Sequence, residues 1–247
     1  MKATQASHAW TPARITTSLW LDAADISTIV KSGELVSTWI DKSGTGKNAT
    51  QSGSARPAYL AAGLNGLPAI DFDGIDDDLE LLNIAGFDVV DQSFFIVAKR
   101  DNRDGRYEIA FGVGDKTVGT GIADAPHWPD HGMYSQIGYL GNRPTPSSPI
   151  TDSPYINAVI GGSIQYSYTN GTLVGIGPAQ STKNFSISSG GFIGSGRAFS
   201  DDKRFFDGKI SELIVVPSVA NLRLFRLIEG YLARKWGLTT NLPIVWP

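Results

Sequence analysis

Three short stretches carry residue types that could do chemistry. In the first, Asp71, Asp73, Asp76, Asp77 and Asp78 crowd one segment. Calcium takes clustered carboxylate and carbonyl oxygens, so Asp73, Asp76, Asp77 and Asp78 form a candidate calcium site. The competing reading is turn chemistry, with Asp side chains accepting from backbone N–H groups between two strands. The second stretch is DAPHWPDHGMY, Asp124 to Tyr134. His127 and His131 are four apart, a spacing that on a helix would aim two imidazoles at one metal. Pro126, Pro129 and Gly132 argue against a helix, so that premise fails. A glycan suits the stretch better. Trp128 and Tyr134 offer faces for stacking, with His127, Asp130 and His131 as polar partners, in a long loop where binding functions concentrate. These five are the candidate ligand-binding residues, against the plainer reading of a loop pinned by its aromatics. The third stretch, KRDNRDGR from Lys99 to Arg106, could grip an acidic partner or a sulfated glycan. The favoured reading is a solvated turn with weak local ion pairs.

Catalytic residues are expected to be none. A glycosidase needs two placed carboxylates. The glutamates Glu34, Glu80, Glu108, Glu212 and Glu229 are scattered along the chain. No G-x-S-x-G elbow, H-E-x-x-H pair or P-loop is written in it. The absence of cysteine excludes a thiolate metal site, a Cys nucleophile and a disulfide scaffold. A net charge of −3 without a basic stripe points away from nucleic acid. No run approaches the ~18–20 apolar residues of a membrane span. The N-terminus has no apolar core, so a signal peptide is not expected.

The elements that must position these groups read as strands. With 28 Gly and 13 Pro in 247 residues, the composition favours many short strands joined by turns. Segments 36–40, 69–72, 79–82, 107–113, 156–160, 163–175, 185–194 and 209–216 are expected to be strands. SFFIVAK, from Ser93, is apolar enough for a strand buried on both faces. Residues 115–154, rich in Gly and Pro, are expected to be mostly loop. Asn170-Gly171 is the strongest hairpin signal, because a type I′ turn needs two residues that tolerate positive φ. Residues 1–18, polar and broken by Pro12, are expected to be an arm, and residues 19–247 a single domain without repeats. After Pro217 the pattern changes to a helix. Ser218 is its expected N-cap, and Leu222, Phe225, Ile228, Leu232 and Trp236 make its apolar stripe. Gly237 fits the left-handed stop.

Taken in order, LWLDAADIST, VSTWIDKSGTGKNA, GLPAIDFDGIDDDLEL with SFFIVAKRD, YTNGTLVGIG, FFDGKISELIVV and IEGYLARKWGL cover residues 19–243. The chain so written resembles the laminin-G-like / concanavalin A-like superfamily, most closely a branch common in tailed-phage virion and bacterial surface proteins. That resemblance implies an all-β fold: a two-sheet antiparallel jelly-roll sandwich with one C-terminal helix packed on it. It also implies a non-enzymatic protein of a phage particle surface, in head decoration or beside a fibre, that binds glycans. The implied partners are capsid or tail proteins, a glycan ligand and a second or third copy of the chain. The implied location is the virion surface, and the arm is the natural anchor. A self-standing lectin or adhesin is the alternative, and a glycan hydrolase or lyase the third reading.

Overall fold

The computed structural model describes residues 10–87, 91–101, 108–114, 118–125, 132–139, 153–178, 190–196 and 204–243, with side chains described outside 114, 118–125, 132–139 and 178. Strands run β1 Leu19–Asp22, β2 Ile29–Ser32, β3 Leu35–Trp39, β4 Ala49–Thr50, β5 Ala58–Leu64, β6 Leu67–Asp73, β7 Leu79–Leu81 and β8 Ser93–Arg100. They continue with β9 Glu108–Gly114, β10 Val118–Ala125, β11 Gly132–Tyr139, β12 Tyr155–Ile160, β13 Ile164–Thr169, β14 Thr172–Pro178, β15 Gly191–Ile193 and β16 Asp207–Val216. One helix follows, α1 Leu222–Lys235.

The strands join in one antiparallel ladder, ordered β11-β10-β9-β15-β7-β4-β3-β5-β6-β16-β8-β12-β13-β14, with β1 beside β16 and β2 beside β3. Distant parts of that order pack face to face. Phe94 on β8 meets Phe111 on β9 with ring centroids 5.7 Å apart, although several strands separate them in the ladder. The ladder therefore folds over itself into a sandwich around one core. Alternation sorts the side chains between two apolar layers. On β8, Phe94, Ile96 and Ala98 enter the inner core, while Phe95 and Val97 face outward beneath α1. The double burial expected of SFFIVAK has this cause. The fold is thus all-β with one C-terminal helix.

The hairpin signal holds. Asn170 and Gly171 take φ of 47° and 75° between β13 and β14. Four expectations need correction. Residues 115–154 contain two strands, β10 and β11, paired to each other over eight residues. Gly119, Gly121 and Gly138 hid them, because a ladder needs backbone groups rather than β-forming side chains. The helix is capped by Asn221, whose side chain accepts from the Leu224 N–H at 2.9 Å, not by Ser218. The Ser218 carbonyl instead accepts from the Ser93 hydroxyl, and the Ala220 N–H donates to that same hydroxyl. Residues 218–220 are thereby tied to the start of β8 and the helix begins later. Leu222, expected in the buried stripe, is 60% exposed, while the other four members are buried. The stretch expected to be an arm is packed from Trp10 onward. Trp10 stands edge-on to Tyr231 at 6.1 Å, and the Ser18 N–H donates to the Val215 carbonyl.

Helix α1 closes as its glycine foretells. Gly237 has φ +69°, and the Leu238 N–H reaches back to the Ala233 carbonyl, the 6→1 bond of a Schellman stop. A polar lock fixes the helix to the sheet. Glu212 of β16, fully buried, accepts from Trp20 Nε1, Trp236 Nε1 and Lys235 Nζ, each at 2.7 Å, and from the Tyr231 hydroxyl at 3.0 Å. Lys235 also reaches Asp22, which Lys42 grips at 2.8 Å.

Candidate functional site

The acidic turn is a real convergence, and its cause is local. After β6, the Asp73 Oδ1 accepts from the backbone N–H groups of Ile75, Asp76 and Asp77. The Asp73 N–H in turn donates to Asp77 Oδ2. Gly74 turns the chain at φ +71°, where a Cβ would lie 2.6 Å from the Asp207 Cβ. Ligand oxygens of Asp73, Asp76 and Asp77 lie within 4.8 Å of one another. Burial, with the Asp73 carboxylate beside it, pushes Asp77 up to about 6. Asp78 is not part of the group. It turns inward, accepting from Ser195 Oγ at 2.9 Å and Gln51 Nε2 at 2.8 Å. Taken one oxygen each, three carboxylates supply part of the six to eight oxygens that calcium takes. The Asp73 oxygen that would lead them is already engaged with three N–H groups.

Of the expected glycan contacts, His127, Trp128, Asp130 and His131 lie outside the described residues. Tyr134 falls on β11, opposite Ala123 of β10. In the basic stretch, residues 102–107 also lie outside the described residues. Its described members are ion-paired: Lys99 with Asp101, and Arg100 with Glu108 through two 2.9 Å bonds from Nε and Nη2.

The feature that sequence reading missed lies between the sheets. On β12, Asn157 alternates with Tyr155 and Val159, both members of the inner core. It is fully buried, and neither its Oδ1 nor its Nδ2 has a hydrogen-bond partner. Directly opposite on β13 stands Thr169, whose Oγ1 is likewise buried and unpartnered. Next along the same face come Ser167 and Gln165, 2% and 3% exposed. Their opposite numbers on β14 are Gly175 and Gly177, which add no side chain. Meanwhile Tyr166 and Tyr168 point outward and pack beneath α1. Strand β13 is therefore polar toward the sandwich interior and aromatic on its outside, the reverse of what a core strand needs. A period-two pattern of Q-Y-S-Y-T shows that inversion once the faces are known; alternation alone does not say which face is inside.

Each unmade hydrogen bond at a buried amide or hydroxyl costs ~1–3 kcal/mol. Asn157 and Thr169 concentrate three such atoms at one cross-strand position, beside a strip whose partners on β14 are glycines. Strand β11 passes close to β12 and β13. The arrangement is chemically suited to accept a molecule rich in hydroxyl groups. Three of the five glutamates are engaged elsewhere. Glu108 is held by Arg100, Glu212 by its four donors, and Glu34 by Lys31.

No family model and no curated protein matches this chain. Its fold, however, recurs in solved structures. A sialidase from Trypanosoma rangeli in complex with sialic acid superposes with a TM-score of 0.62 and 12% identity, over 92% of this chain and 34% of that one. Domain 4 of a GH43 extracellular arabinanase from Geobacillus stearothermophilus, in complex with arabinotriose, gives 0.61 and 17%, over 85% of this chain and 96% of that one. A GH54 α-L-arabinofuranosidase gives 0.53 and 12%, over 84% and 50%. The chain thus spans about a third of the sialidase, half of the arabinofuranosidase and nearly all of the arabinanase domain. At these identities the likeness is one of fold. It overturns the expectation of a tailed-phage surface protein, since these three structures that share the architecture are glycosidases or a domain of one.

Proposed function

We propose that the chain is a carbohydrate-recognition module of the kind that accompanies glycoside hydrolases, itself without catalytic residues. The observation that carries this reading is the unpartnered Asn157–Thr169 pair on the polar inner face of β12 and β13. A sugar supplies both donors and acceptors from vicinal hydroxyls, which is what an amide and a hydroxyl side by side lack. Ser167 and Gln165 extend the polar strip, and Gly175 and Gly177 stand opposite them without side chains. The near end-to-end likeness to an arabinanase domain that holds arabinotriose makes arabino-oligosaccharides the first ligand to try. The engagement of Glu34, Glu108 and Glu212 in internal pairs supports binding without hydrolysis. We further assign the sandwich to the laminin-G-like jelly-roll architecture on the order of its sequence motifs.

The test is a glycan array probed with the full chain, paired with a reducing-sugar assay on every glycan that binds. Retention of arabinan or another neutral plant-type glycan without sugar release is the expected outcome. Release of reducing ends would make the chain an enzyme, and an array blank across all classes would refute recognition altogether.

A further inference from the structure

Helix α1 and the turn after it enclose an open groove of about 950 Å³, remote in sequence from the polar strip and lined by different residues. Its walls are aliphatic, from Leu222, Leu227, Leu242 and Pro243, and its charges are three arginines, Arg223, Arg226 and Arg234. Among the described residues, Arg223 and Arg234 are exposed and have no ion-pair or hydrogen-bond partner; Arg226 is engaged in an interaction of its own.

Three features of the groove run against helix stability. Arg223 sits in the first turn, which holds no acidic residue, although the helix dipole favours anions there. Arg223 and Arg226 are like charges three apart, a repulsive spacing. Gly230 interrupts the helix interior, where glycine is among the poorest formers. A Cβ at that position would lie 3.3 Å from Arg234 Nη1. The Arg234 guanidinium therefore lies back over Gly230, and both line the groove. Two unpaired cations are concentrated here on a protein of net charge −3. A counter-charge from outside the chain would satisfy them.

We propose that this groove docks an acidic, leucine-type segment of another protein domain. Aliphatic walls and guanidinium groups match apolar side chains interleaved with carboxylates, the pattern of a helix-in-groove partner. Among the described residues, the groove lining has no aromatic ring on which a sugar could stack, and a leucine-bearing segment is the better match to its aliphatic walls. This surface stands independently of the sugar site, and failure of either leaves the other intact.

The experiment is fluorescence anisotropy of the full chain with a labelled helical peptide of about twelve residues, leucines every third or fourth position and glutamates between. Binding should weaken with salt and fall at least about tenfold in the double variant Arg223→Glu/Arg234→Glu. A matching peptide with lysines for glutamates should ignore the wild type and bind the double variant. Unchanged thermal melting of that variant shows that its fold is intact. The proposal is overturned if the acidic peptide does not bind, or if both peptides bind alike. Arginine-dependent binding of oligogalacturonate in place of the peptide would also overturn it. So would a wild-type dimer in sedimentation that the double variant abolishes, since that would make a second copy the occupant.

Discussion

Asp77 and Glu229 show how single residues set the response of this protein to pH. Glu229 lies on the sheet-facing side of α1, fully buried, with both carboxyl oxygens unpartnered. Burial pushes it up to about 8, and the Gly171 N–H opposes that shift without making a hydrogen bond to it. The folded chain therefore keeps the Glu229 proton well above 4.5, where the unfolded chain releases it. Between those values the folded state binds more protons, so stability falls as pH rises and the loss is complete above about 8. Asp77 acts in the same direction over a lower window, from 3.8 to about 6. Asp25, Asp41 and Asp101, held below the ordinary range by Lys42, by Ser43, Trp20 and Lys47, and by Lys209 and Lys99 respectively, act oppositely and lose their contribution in acid. Stability should peak near about pH 4–5. Glu229→Gln should melt higher than wild type at about pH 9 and equally at about pH 4, and Asp77→Asn should flatten the profile between about 4 and 6. Thermal melts across that range check both; a wild-type profile that is flat or rises toward pH 8 would contradict the buried, unpaired state of Glu229.

At the scale of elements, α1 is held by its apolar stripe and by the Glu212 lock. Replacing Glu212 with Leu leaves Trp20 Nε1 and Trp236 Nε1 buried without an acceptor, and removes one of the two anions paired with Lys235. The expected loss is about 3 kcal/mol or more, read from the urea midpoint at unchanged slope. A loss under about 1 kcal/mol would show that the stripe alone docks the helix. Most of this helix is legible in the sequence, because spacing and a glycine stop are local signals. Its start is not, since Ser93 captures residues 218–220 from 125 positions away. The same limit hides Glu212, whose donors come from β1 and α1. It also hides β10, whose glycines read as turns until their ladder partners are known. The acidic turn is legible for the opposite reason: Asp73 caps N–H groups two to four residues ahead. Asp78, next in line, leaves the group because its partners Gln51 and Ser195 are distant in sequence.

Over the whole molecule, the folded-over ladder produces two layers with different tasks. The outer layer, beneath α1, is apolar and joins helix to sheet. The inner layer is apolar for most of its extent but turns polar along β13, where the sandwich carries unmade hydrogen bonds. Those bonds are the central claim, because stability alone would favour an apolar side chain at Asn157. Asn157→Leu removes two unpartnered polar atoms at similar volume, so it should raise the melting temperature, by roughly 1–3 kcal/mol of stability. The direct measurement is calorimetric titration of arabinotriose into the wild-type chain and this variant, with melting curves for both. Saturable heat for the wild type and none for the better-melting variant is the result predicted. Equal binding by the two chains, or a variant that melts lower, would contradict the assignment of Asn157 to ligand rather than to the core.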